Sequence, residues 1–279
     1  MEKIDNFIRD RITMADQVIM SLGLQKIQDG DVILTYARSS VVQGLLLAAH
    51  AKGIKFKVIV VDSRPRFEGI AIVRVCVGNG DNMMVMVAPL THAFCWAISL
   101  GKQLLRALAN AGVPCTYVLL TAIGHVMREV SKVILGAHSL LSNGALYSRA
   151  GTAVVAMSAH ERKIPVIVCC ETYKFSDRVQ LDSFVQNEIG NPDELVNDQH
   201  NNFGHSSVRY HDSVRSNSAV AASSGSTSGG VLSGWKESRD LKLLNLLYDL
   251  TPSEFVTVVI TEVGLIPCTS VPVILREFL

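Results

Sequence analysis

The sequence contains no CxxC pair, and its cysteines are few and scattered. There are six among 279 residues: Cys76, Cys95, Cys115, Cys169, Cys170 and Cys268. Disulfide frameworks and zinc sites repeat cysteines at short, regular spacings, and no such spacing occurs here. We therefore expect reduced thiols, no disulfide bonds and no metal site, which is typical of proteins in the cytosol.

The sequence is also poor in charge, since Asp, Glu, Lys and Arg make up only 18% of it. The formal net charge is +1 and the pI is about 7.7. A nucleic-acid partner would require clustered Lys and Arg side chains to contact its phosphates. A nearly neutral chain offers no such face, so we expect no direct contact with nucleic acid.

Apolar runs of membrane-spanning length are missing as well. The amino-terminal stretch MEKIDNFIRDRITMADQVIM carries charges throughout, so it does not resemble a secretory signal. The least charged stretch, residues 70–101, has an apolar core shorter than the ~20 residues that a span needs. That core is interrupted by Pro89, Thr91, His92 and Ser99. We expect a cytosolic protein that does not enter a membrane.

Short apolar runs alternate with helical patterns along most of the chain. Apolar residues recur at helical spacing through residues 4–19, which predicts an N-terminal amphipathic helix that ends near Gly23. The runs VILTYA, KVIVVD and IPVIVCC are typical of strands that a parallel sheet buries on both faces. The alternation predicts an α/β fold with a Rossmann-like, open, mainly parallel and doubly wound sheet.

The carboxy-terminal part of the sequence predicts two more helices and a strand. Five leucines at helical spacing, in residues 241–247, predict a helix with one apolar face. The string TPSE, which begins at Thr251, resembles a capping box and predicts a second helix that continues to Gly264. The string IPCTSVPVIL then predicts an extended strand at the edge of the sheet, where proline is tolerated.

Polar residues follow the predicted strands at their carboxyl ends, where ligands bind in open α/β sheets. The helices that begin after Arg38 and after Arg149 would present free backbone N–H groups there, which suit a phosphate. We therefore predict an anion-binding crevice formed by Arg38, Ser39, Asp62, Arg64, Glu68, Asn143, Arg149, Thr152 and Glu171. The chain has no P-loop and no GxGxxG fingerprint, so no cofactor is indicated.

Some of these charged residues also have a structural interpretation. Asp62 and Arg64, at the end of a strand, could equally lock the next turn, and both interpretations remain open. Glu171 lies three residues before Lys174, and an ion pair between them would hold the crevice loops in place. We favour that structural interpretation for Glu171 and Lys174.

Several long strings in the sequence resemble one known family, the delta subunits of eukaryotic translation initiation factor 2B. The resemblance rests on GDVILTYARSSVV, VIVVDSRPRFEG, LLRALANAGVPCTYVLL, EVSKVILGAHSLLSNGALYSRAGTAVVAM, PVIVCCETYKFSDRVQLDSF and LLNLLYDLTPSEFVTVVITEVGLIPCTSVPVILRE. It covers nearly all of the chain except residues 70–101 and 197–233. It implies a Rossmann-like domain, residues 27–279, preceded by a remnant of the family's helical domain, residues 1–26.

The two segments outside the resemblance have different compositions. Residues 197–233 are rich in Ser, Gly and Asn and contain too little apolar surface to offset the entropy of ordering, which predicts a flexible loop. Residues 70–101 are extra relative to the family and far exceed the usual length of a connection. They predict an insertion beside the crevice, and a retained intron or gene-model error is the alternative explanation.

The wider family also includes methylthioribose-1-phosphate isomerases. These isomerases use a catalytic cysteine after the first strand and a catalytic aspartate after an Asn-Gly pair. The resemblance implies that Ala37 and Ala145 occupy the corresponding positions in this chain. A methyl group cannot transfer a proton. Glu68 also replaces a glutamine, and Ser148 and Arg149 replace an Asn-Lys pair. We therefore predict no enzyme activity; a sugar-phosphate isomerase or metabolite-binding relative is the alternative.

The resemblance instead implies a regulatory subunit of the guanine-nucleotide exchange complex that acts on translation initiation factor 2. In that family the epsilon subunit catalyses exchange, while alpha, beta and delta sense phosphorylation of the alpha subunit of initiation factor 2. The implied partners are therefore the beta subunit, then the alpha, gamma and epsilon subunits, and initiation factor 2 itself; no cofactor is implied.

Delta subunits pair with beta through these domains, which changes the interpretation of the leucine-rich segment. Leu244, Leu246 and Tyr248 become candidates for a subunit interface, where apolar and aromatic anchors dominate the binding energy. The alternative is that the same side chains pack inside the chain.

Overall fold

The computed structural model describes residues 14–63, 100–196, 232 and 235–278. Contacts within the chain divide it into two compact units, of which the larger comprises Met1–Glu188 and Leu247–Leu279 and the smaller comprises Ile189–Leu246. In the described ranges, no helix has the length and apolar character needed to cross a bilayer.

Eleven strands are described, and all of them belong to the larger unit. In chain order they are β1 Val32–Tyr36, β2 Lys57–Asp62, β3 Cys115–Leu119, β4 Lys132–Gly136, β5 Ser139–Leu141, β6 Leu146–Arg149, β7 Val166–Cys169, β8 Phe175–Ser176, β9 Tyr248–Thr251, β10 Val258–Thr261 and β11 Gly264–Ile266. Seven of them form the main sheet in the order β11-β10-β7-β4-β1-β2-β3. Each neighbouring pair except β10 and β11 is parallel, which confirms the predicted fold class.

Helices cover both faces of the main sheet. The described helices are α1 Met14–Leu24, α2 Ser40–Ala51, α3 Leu100–Asn110, α4 Ile123–Val126, α5 Thr152–Glu161, α6 Asp193–Val196 and α7 Val271–Phe278. Ile33 and Leu34, neighbours on β1, belong to different core clusters. The Ile33 cluster includes side chains from α1, α2 and α3, and the Leu34 cluster includes side chains from α4, α5 and α7. This double burial explains why the central strands are apolar at nearly every position.

The other four strands form a second sheet in the order β8-β5-β6-β9. β5 and β6 make an antiparallel hairpin whose turn contains Gly144, with a φ of 80°. β9 pairs antiparallel with β6 and places Asp249 opposite Ser148 and Tyr248 opposite Arg149. The second sheet thereby brings residues 248–251 next to the segment that leads into α5.

The smaller unit is held together by polar contacts. The indole Nε1 of Trp235 donates a hydrogen bond to Oδ1 of Asp193 at 3.0 Å, and the Lys236 ammonium lies 2.8 Å from the other oxygen. The amide of Asn245, which is 3% exposed, donates to the backbone oxygen of Asn191 at 3.0 Å. The same amide also donates to the carboxylate of Glu194 at 3.1 Å, which connects α6 to the leucine-rich segment.

The prediction of a helix over residues 241–247 is wrong. The segment is not helical; it makes an isolated bridge between Ile189 and Leu246 and then continues into β9. Leu244 is exposed, whereas Asn245 is buried, which is the reverse of what a leucine-faced helix requires. The backbone of the segment pairs with residues 188–190: the N–H of Gly190 donates to the oxygen of Asn245 at 2.7 Å, and the N–H of Leu247 donates to the oxygen of Glu188 at 3.1 Å. Tertiary pairing thus overrides the helical spacing of the leucines.

The predictions of a helix that begins at the TPSE string and of an edge strand after it are also wrong. The TPSE string forms only a single 3-10 turn, Ser253–Phe255, and the β-branched residues after it form β10, because such side chains pack well on a pleated sheet. The predicted edge strand is instead the helix α7, whose Pro272 lies in the first turn, where no backbone N–H is needed. β11 takes the edge position.

Several predictions fall partly or wholly outside the described residues. The helix α1 confirms a helix that ends near Gly23, but residues 1–13 of the predicted segment 1–26 are not described. The same applies to nearly all of the predicted insertion 70–101 and of the predicted loop 197–233. These assignments remain predictions.

A carboxylate ties β1 to the neighbouring β4 where both strands begin. The Asp31 carboxylate accepts hydrogen bonds from the backbone of Gln28 at 2.7 Å and from Ser131 at 2.9 Å, and it pairs with the Lys132 ammonium at 2.7 Å. Burial favours the neutral acid, but the bonds from Lys132, Gln28 and Ser131 outweigh it, so the pKa of Asp31 lies below its ordinary value. The ionised form therefore stabilises the fold.

Asp31→Asn is expected to lower the free energy of unfolding by about 1–3 kcal/mol at neutral pH. Because the folded-state pKa lies below the unfolded value of 3.8, this contribution is present above pH 3.8 and is lost as pH falls through the folded-state pKa. Denaturant unfolding of wild type and variant across this pH range measures the difference, with the exposed Asp177→Asn as control. A difference that is independent of pH would contradict the ion-pair argument.

Candidate ligand crevice and partner surface

The crevice begins where β1 ends, at a strained backbone position. Ala37 has a φ of 55°, a left-handed conformation that residues other than glycine rarely adopt. Its N–H donates to the backbone oxygen of Val61 at 2.9 Å, which holds this turn against β2. Such strain costs about 1–3 kcal/mol and clusters at functional sites. The side chain at this strained position is a methyl group, which can neither donate nor accept a proton.

Asp62, at the end of β2, is buried and surrounded by donors from its own chain. Its Oδ1 accepts from the backbone N–H of Ser63 at 3.0 Å, and its Oδ2 accepts from the Tyr117 hydroxyl at 3.1 Å. Burial raises the pKa of Asp62; the bonds from Tyr117, Ser63 and the backbone of Gly101, together with the charge of Lys102, act against that rise. Since Gly101 lies in the first turn of α3, Asp62 locks this helix to the sheet.

Tyr36, the last residue of β1, connects Ser63, which follows Asp62, to the segment before α5. Its hydroxyl donates to the backbone oxygen of Ala150 and lies 2.6 Å from the hydroxyl oxygen of Ser63. Burial raises the pKa of Tyr36 to about 12. A side chain on Gly151 would collide with this hydroxyl, and Gly151 also has a φ of 109°. Glycine is therefore required at this close approach.

The amino terminus of α5 is satisfied by a carboxylate that the sequence did not predict. Oδ2 of Asp249, on β9, accepts from the backbone N–H of Gly151 at 2.7 Å and of Ala153 at 3.0 Å. The Thr152 hydroxyl, expected to contact a ligand, instead donates to the backbone oxygen of Arg149 at 2.6 Å. Burial raises the pKa of Asp249 to about 6, against the lowering effect of these N–H bonds.

The other predicted anion position, at the start of α2, is also occupied by groups of the chain. Ser39 is the N-cap, and its hydroxyl accepts from the N–H of Val42 at 3.5 Å. The Arg38 guanidinium donates to the side-chain oxygens of Gln43 at 2.9 Å and Gln103 at 2.8 Å. Arg38 thus bridges α2 and α3.

Asn143 and Glu171 have structural contacts as well. The Asn143 amide donates to the backbone oxygen of Gln180 at 2.7 Å, and its oxygen accepts from the N–H of Ala145 at 3.2 Å. Glu171 is 2% exposed and lies 2.6 Å from the Lys174 ammonium, the ion pair that the structural interpretation predicts. Arg64 and Glu68 lie outside the described residues, so their predicted roles in the crevice are not tested.

The assembly of the predicted residues into one ligand site stays a prediction. Asp62 and the segment around Arg149 approach each other through Tyr36, whereas Asn143 and Glu171 serve separate turns. Asp249 was missed because the pattern around it indicated a helix. The alternation of polar and apolar residues in YDLT was the available signal for a strand.

A separate cavity of about 700 Å³ lies on the second sheet. Its lining includes His138, Tyr147, Lys174, Arg178 and Glu188. One wall is an aromatic cluster in which Tyr147 stacks on the buried Tyr248 ring with centroids 4.8 Å apart. None of the predicted crevice residues that the structure describes lines this cavity.

An exposed apolar loop, defined as residues 179–185, follows the β8 strand. Val179, Leu181, Phe184 and Val185 are between 65% and 88% exposed. The Asp182 carboxylate accepts from the backbone N–H groups of Phe184 at 2.8 Å and Val185 at 3.0 Å, and these two bonds hold the turn that presents the apolar side chains. Four large apolar side chains in one short ordered segment are typical of a surface that a partner covers.

The three predicted interface residues have different environments. Leu244 is 60% exposed, and Leu246 is partly buried. Tyr248 is 7% exposed and packs against Tyr147 and His138, as its alternative interpretation predicts. Of the three, Leu244 has the exposure expected of a partner contact.

Comparison with known proteins identifies the class to which this fold belongs. The profile of the Initiation factor 2 subunit family matches residues 1–95 and 98–268, so the chain belongs to that family. It is 44% identical over 278 residues to translation initiation factor eIF2B subunit delta of Schizosaccharomyces pombe and 42% identical to the subunit of the same name in Dictyostelium discoideum. The predicted resemblance to delta subunits is thereby confirmed.

The chain spans about half the length of the curated relatives that it matches. All of this chain aligns with the two delta subunits, but it covers 48% of the first and 36% of the second. The ribose 1,5-bisphosphate isomerase of Pyrococcus furiosus is 28% identical over 93% of this chain and 60% of its own length. Isomerases are thus more distant relatives than the two delta subunits.

Solved structures give the same result. A chain of the tetrameric eIF2B-beta2-delta2 complex from C. thermophilum matches with a TM-score of 0.62 and 28% identity, over 94% of this chain and 60% of that one. The Pyrococcus horikoshii translation initiation factor eIF-2B matches with a TM-score of 0.61 at 24% identity, over 94% of this chain and 67% of that one. The second match supports the fold alone.

Asp249→Asn is expected to change how stability depends on pH. Because the folded-state pKa, about 6, exceeds the unfolded value of 3.8, the folded state binds this proton more tightly. Wild type should therefore gain up to about 3 kcal/mol from this group as pH falls from about 7 to about 4. The variant should lack that gain, and denaturant unfolding at several pH values measures it. Parallel pH profiles for the two proteins would refute the assignment.

Proposed function

We propose that this chain is a non-catalytic regulatory subunit of the guanine-nucleotide exchange complex that acts on translation initiation factor 2. Its role is to assemble with other subunits and to contribute to sensing the phosphorylated substrate. Identity of 44% and 42% to proteins named as eIF2B delta subunits supports this function. The complex works in the cytosol, where translation is initiated.

The observation that carries the proposal is the exposed apolar loop. Burying a large apolar side chain that is otherwise in water contributes about 1.5–3 kcal/mol. Four such side chains within residues 179–185 are enough to anchor a partner, and an ordered turn lowers the entropy cost of binding. The apolar loop therefore fits a surface that is covered in an assembly.

The partner that we propose for this surface is the beta subunit. The matched complex from C. thermophilum is named as a tetramer of two beta and two delta subunits. The alpha, gamma and epsilon subunits would join through this pair, and initiation factor 2, through its alpha subunit, would be the substrate that the assembly recognises. Leu244 is proposed as an additional contact, because its side chain is 60% exposed.

Phe184→Asp, Leu181→Asp and Leu244→Asp are each expected to abolish co-purification with the beta subunit of the same organism. Each change would place a charge in an apolar interface, where an unpaired charge is strongly unfavourable. Co-expression of the whole chain with tagged beta subunit, followed by affinity purification, measures the outcome. Met157→Asp is the matched control, because Met157 is 51% exposed on α5, away from the apolar loop in sequence.

Loss of the complex in the three variants, with the control intact, would support the proposal. An intact complex in the Phe184 and Leu181 variants would remove the apolar loop from the interface. An intact complex in the Leu244 variant alone would remove that residue only. If wild type itself fails to co-purify with any sister subunit, the proposed function is wrong.

A sugar-phosphate isomerase is the second candidate function, and the 28% identity to the Pyrococcus furiosus enzyme favours it. Ala37 and Ala145 oppose it, because neither side chain can act as a nucleophile, acid or base. The chain's own groups also cap the helices that begin at the crevice. These features support a crevice without isomerase chemistry.

We expect no turnover of ribose 1,5-bisphosphate or methylthioribose 1-phosphate by the purified chain. The measurement is product formation followed by NMR, with the Pyrococcus furiosus isomerase as the positive control for the first substrate. Conversion above the rate of a protein-free blank, retained through purification to homogeneity, would establish the enzyme alternative.

A further inference from the structure

The large side chains of the apolar loop contribute little packing that could fix its shape. All four of them are between 65% and 88% exposed. Burial of apolar surface is the dominant force that holds a folded chain together, and these side chains point away from it. The conformation of the apolar loop therefore depends on hydrogen bonds made by polar groups in and around it.

Gln180 connects two parts of the loop from the inside. Its side chain is 6% exposed, and its Nε2 donates to the backbone oxygen of Asp182 at 2.7 Å and to that of Gln186 at 3.0 Å. These two acceptors lie on either side of Phe184 and Val185 in the sequence. Oε1 of Gln180 is buried and has no hydrogen-bond partner in the part of the chain that the structure describes. Because an unsatisfied buried acceptor is unfavourable, Gln180 shapes the loop while it adds little to the stability of the whole fold.

The turn between β5 and β6 holds the first half of the loop. Asn143, in this turn, donates from Nδ2 to the backbone oxygen of Gln180 at 2.7 Å. The neighbouring Ser142 donates from its hydroxyl to the backbone oxygen of Asp177 at 3.0 Å and from its N–H to that of Arg178 at 3.2 Å. Two adjacent residues of one turn thus attach the loop to the second sheet.

Ser183 and Asn187 attach the other half of the loop to β9. The Ser183 hydroxyl accepts from the backbone N–H of Leu250 at 2.9 Å. The Asn187 amide donates to the backbone oxygen of Tyr248 at 2.7 Å and to that of Ser183 at 2.9 Å. β9 is the terminal strand of the second sheet as described, so these side chains satisfy backbone groups at a sheet edge. The loop is therefore held at both halves by polar contacts.

We propose that Gln180 and Asn143 are positioning residues for partner binding, which hold the apolar loop in the conformation that the partner recognises. They act through the loop and make no contact with the partner. The inference rests on the proposed function and deepens it, because it names residues that set the affinity of that surface. A loop already in its bound shape loses less conformational entropy on association. Without these bonds only a fraction of the molecules presents the loop correctly, and the apparent affinity falls by that fraction.

Binding kinetics separate a positioning residue from a contact residue. Gln180→Met keeps the length of the side chain but removes both donated hydrogen bonds. Asn143→Asp removes the donor to Gln180 and keeps an acceptor for the N–H of Ala145. We expect each variant of the whole chain to associate about 5- to 30-fold more slowly with immobilised beta subunit of the same organism. The dissociation rate should stay within about twofold of wild type, whereas Leu181→Ala, which shortens a contact side chain, should dissociate faster.

Hydrogen exchange in the free chain provides a second measurement. The backbone N–H groups of Phe184 and Val185, which are bonded to the Asp182 carboxylate, should exchange faster in both variants than in wild type. The unfolding temperature of the whole chain should change by less than about 3 °C. A change in loop exchange with little change in global unfolding is the signature of a positioning role.

Gln28→Met is the matched control for Gln180→Met, because Gln28 is exposed in the segment before β1. Association of both variants at the wild-type rate would overturn the inference and leave the proposed function in place, as would equal slowing in the control. Faster dissociation without slower association would also overturn it, since Gln180 and Asn143 would then be contact residues. If wild type does not bind the beta subunit, the proposed function is wrong and the inference falls with it. Should Gln180→Met not fold, Asn143→Asp decides.

Discussion

A parallel sheet that is buried on both faces requires helices on both sides, and that requirement determines the rest of this molecule. Each strand-to-helix connection brings a helix amino terminus to the same edge of the main sheet, with unsatisfied N–H groups that need acceptors. Ser39 serves α2, Asp62 serves α3 and Asp249 serves α5. At the edge of the sheet where ligands usually bind, side chains of the chain itself therefore accept hydrogen bonds from the helix N–H groups.

As a consequence, the crevice and the apolar loop differ in how far their side chains are engaged within the chain. Around the carboxyl ends of β1 and β2, the described polar side chains are hydrogen-bonded to other groups of the chain, as in Tyr36 with Ser63 and Asp62 with Tyr117. The apolar loop, in contrast, presents large side chains that are exposed in the part of the chain that the structure describes. A protein with this distribution is suited to binding other proteins, and membership of the Initiation factor 2 subunit family agrees with that interpretation.

Local sequence patterns were sufficient for β1, β2 and β7, because these strands are buried on both faces and have continuous apolar runs, but they were not sufficient for β10, for which a helix was predicted. VILTY and KVIVVD became β1 and β2 as predicted. The same reasoning failed after residue 240, where five leucines at helical spacing lie in a segment without a helix. There the backbone of residues 245–247 pairs with residues 188–190, which are distant in sequence, and no local pattern contains that information.

The crevice could be predicted only in outline for the same reason. The strand ends located Asp62, but the partner of α5 depended on β9 lying beside β6. Glu171 and Lys174 were correctly interpreted as an ion pair, because three-residue spacing brings their side chains close in almost any tight turn. Contacts between residues close in sequence could be predicted, whereas contacts between the two sheets could not.

The left-handed backbone at Ala37 has an evolutionary consequence. Its conformation is held by β1, β2 and a hydrogen bond to Val61, none of which depends on the identity of the side chain. A single residue substitution, Ala37→Cys, could therefore exchange a methyl group for a thiol without refolding the turn. In such a fold, a reactive side chain can be gained or lost more readily than the backbone conformation can change. Proteins with and without catalytic activity can therefore share one architecture.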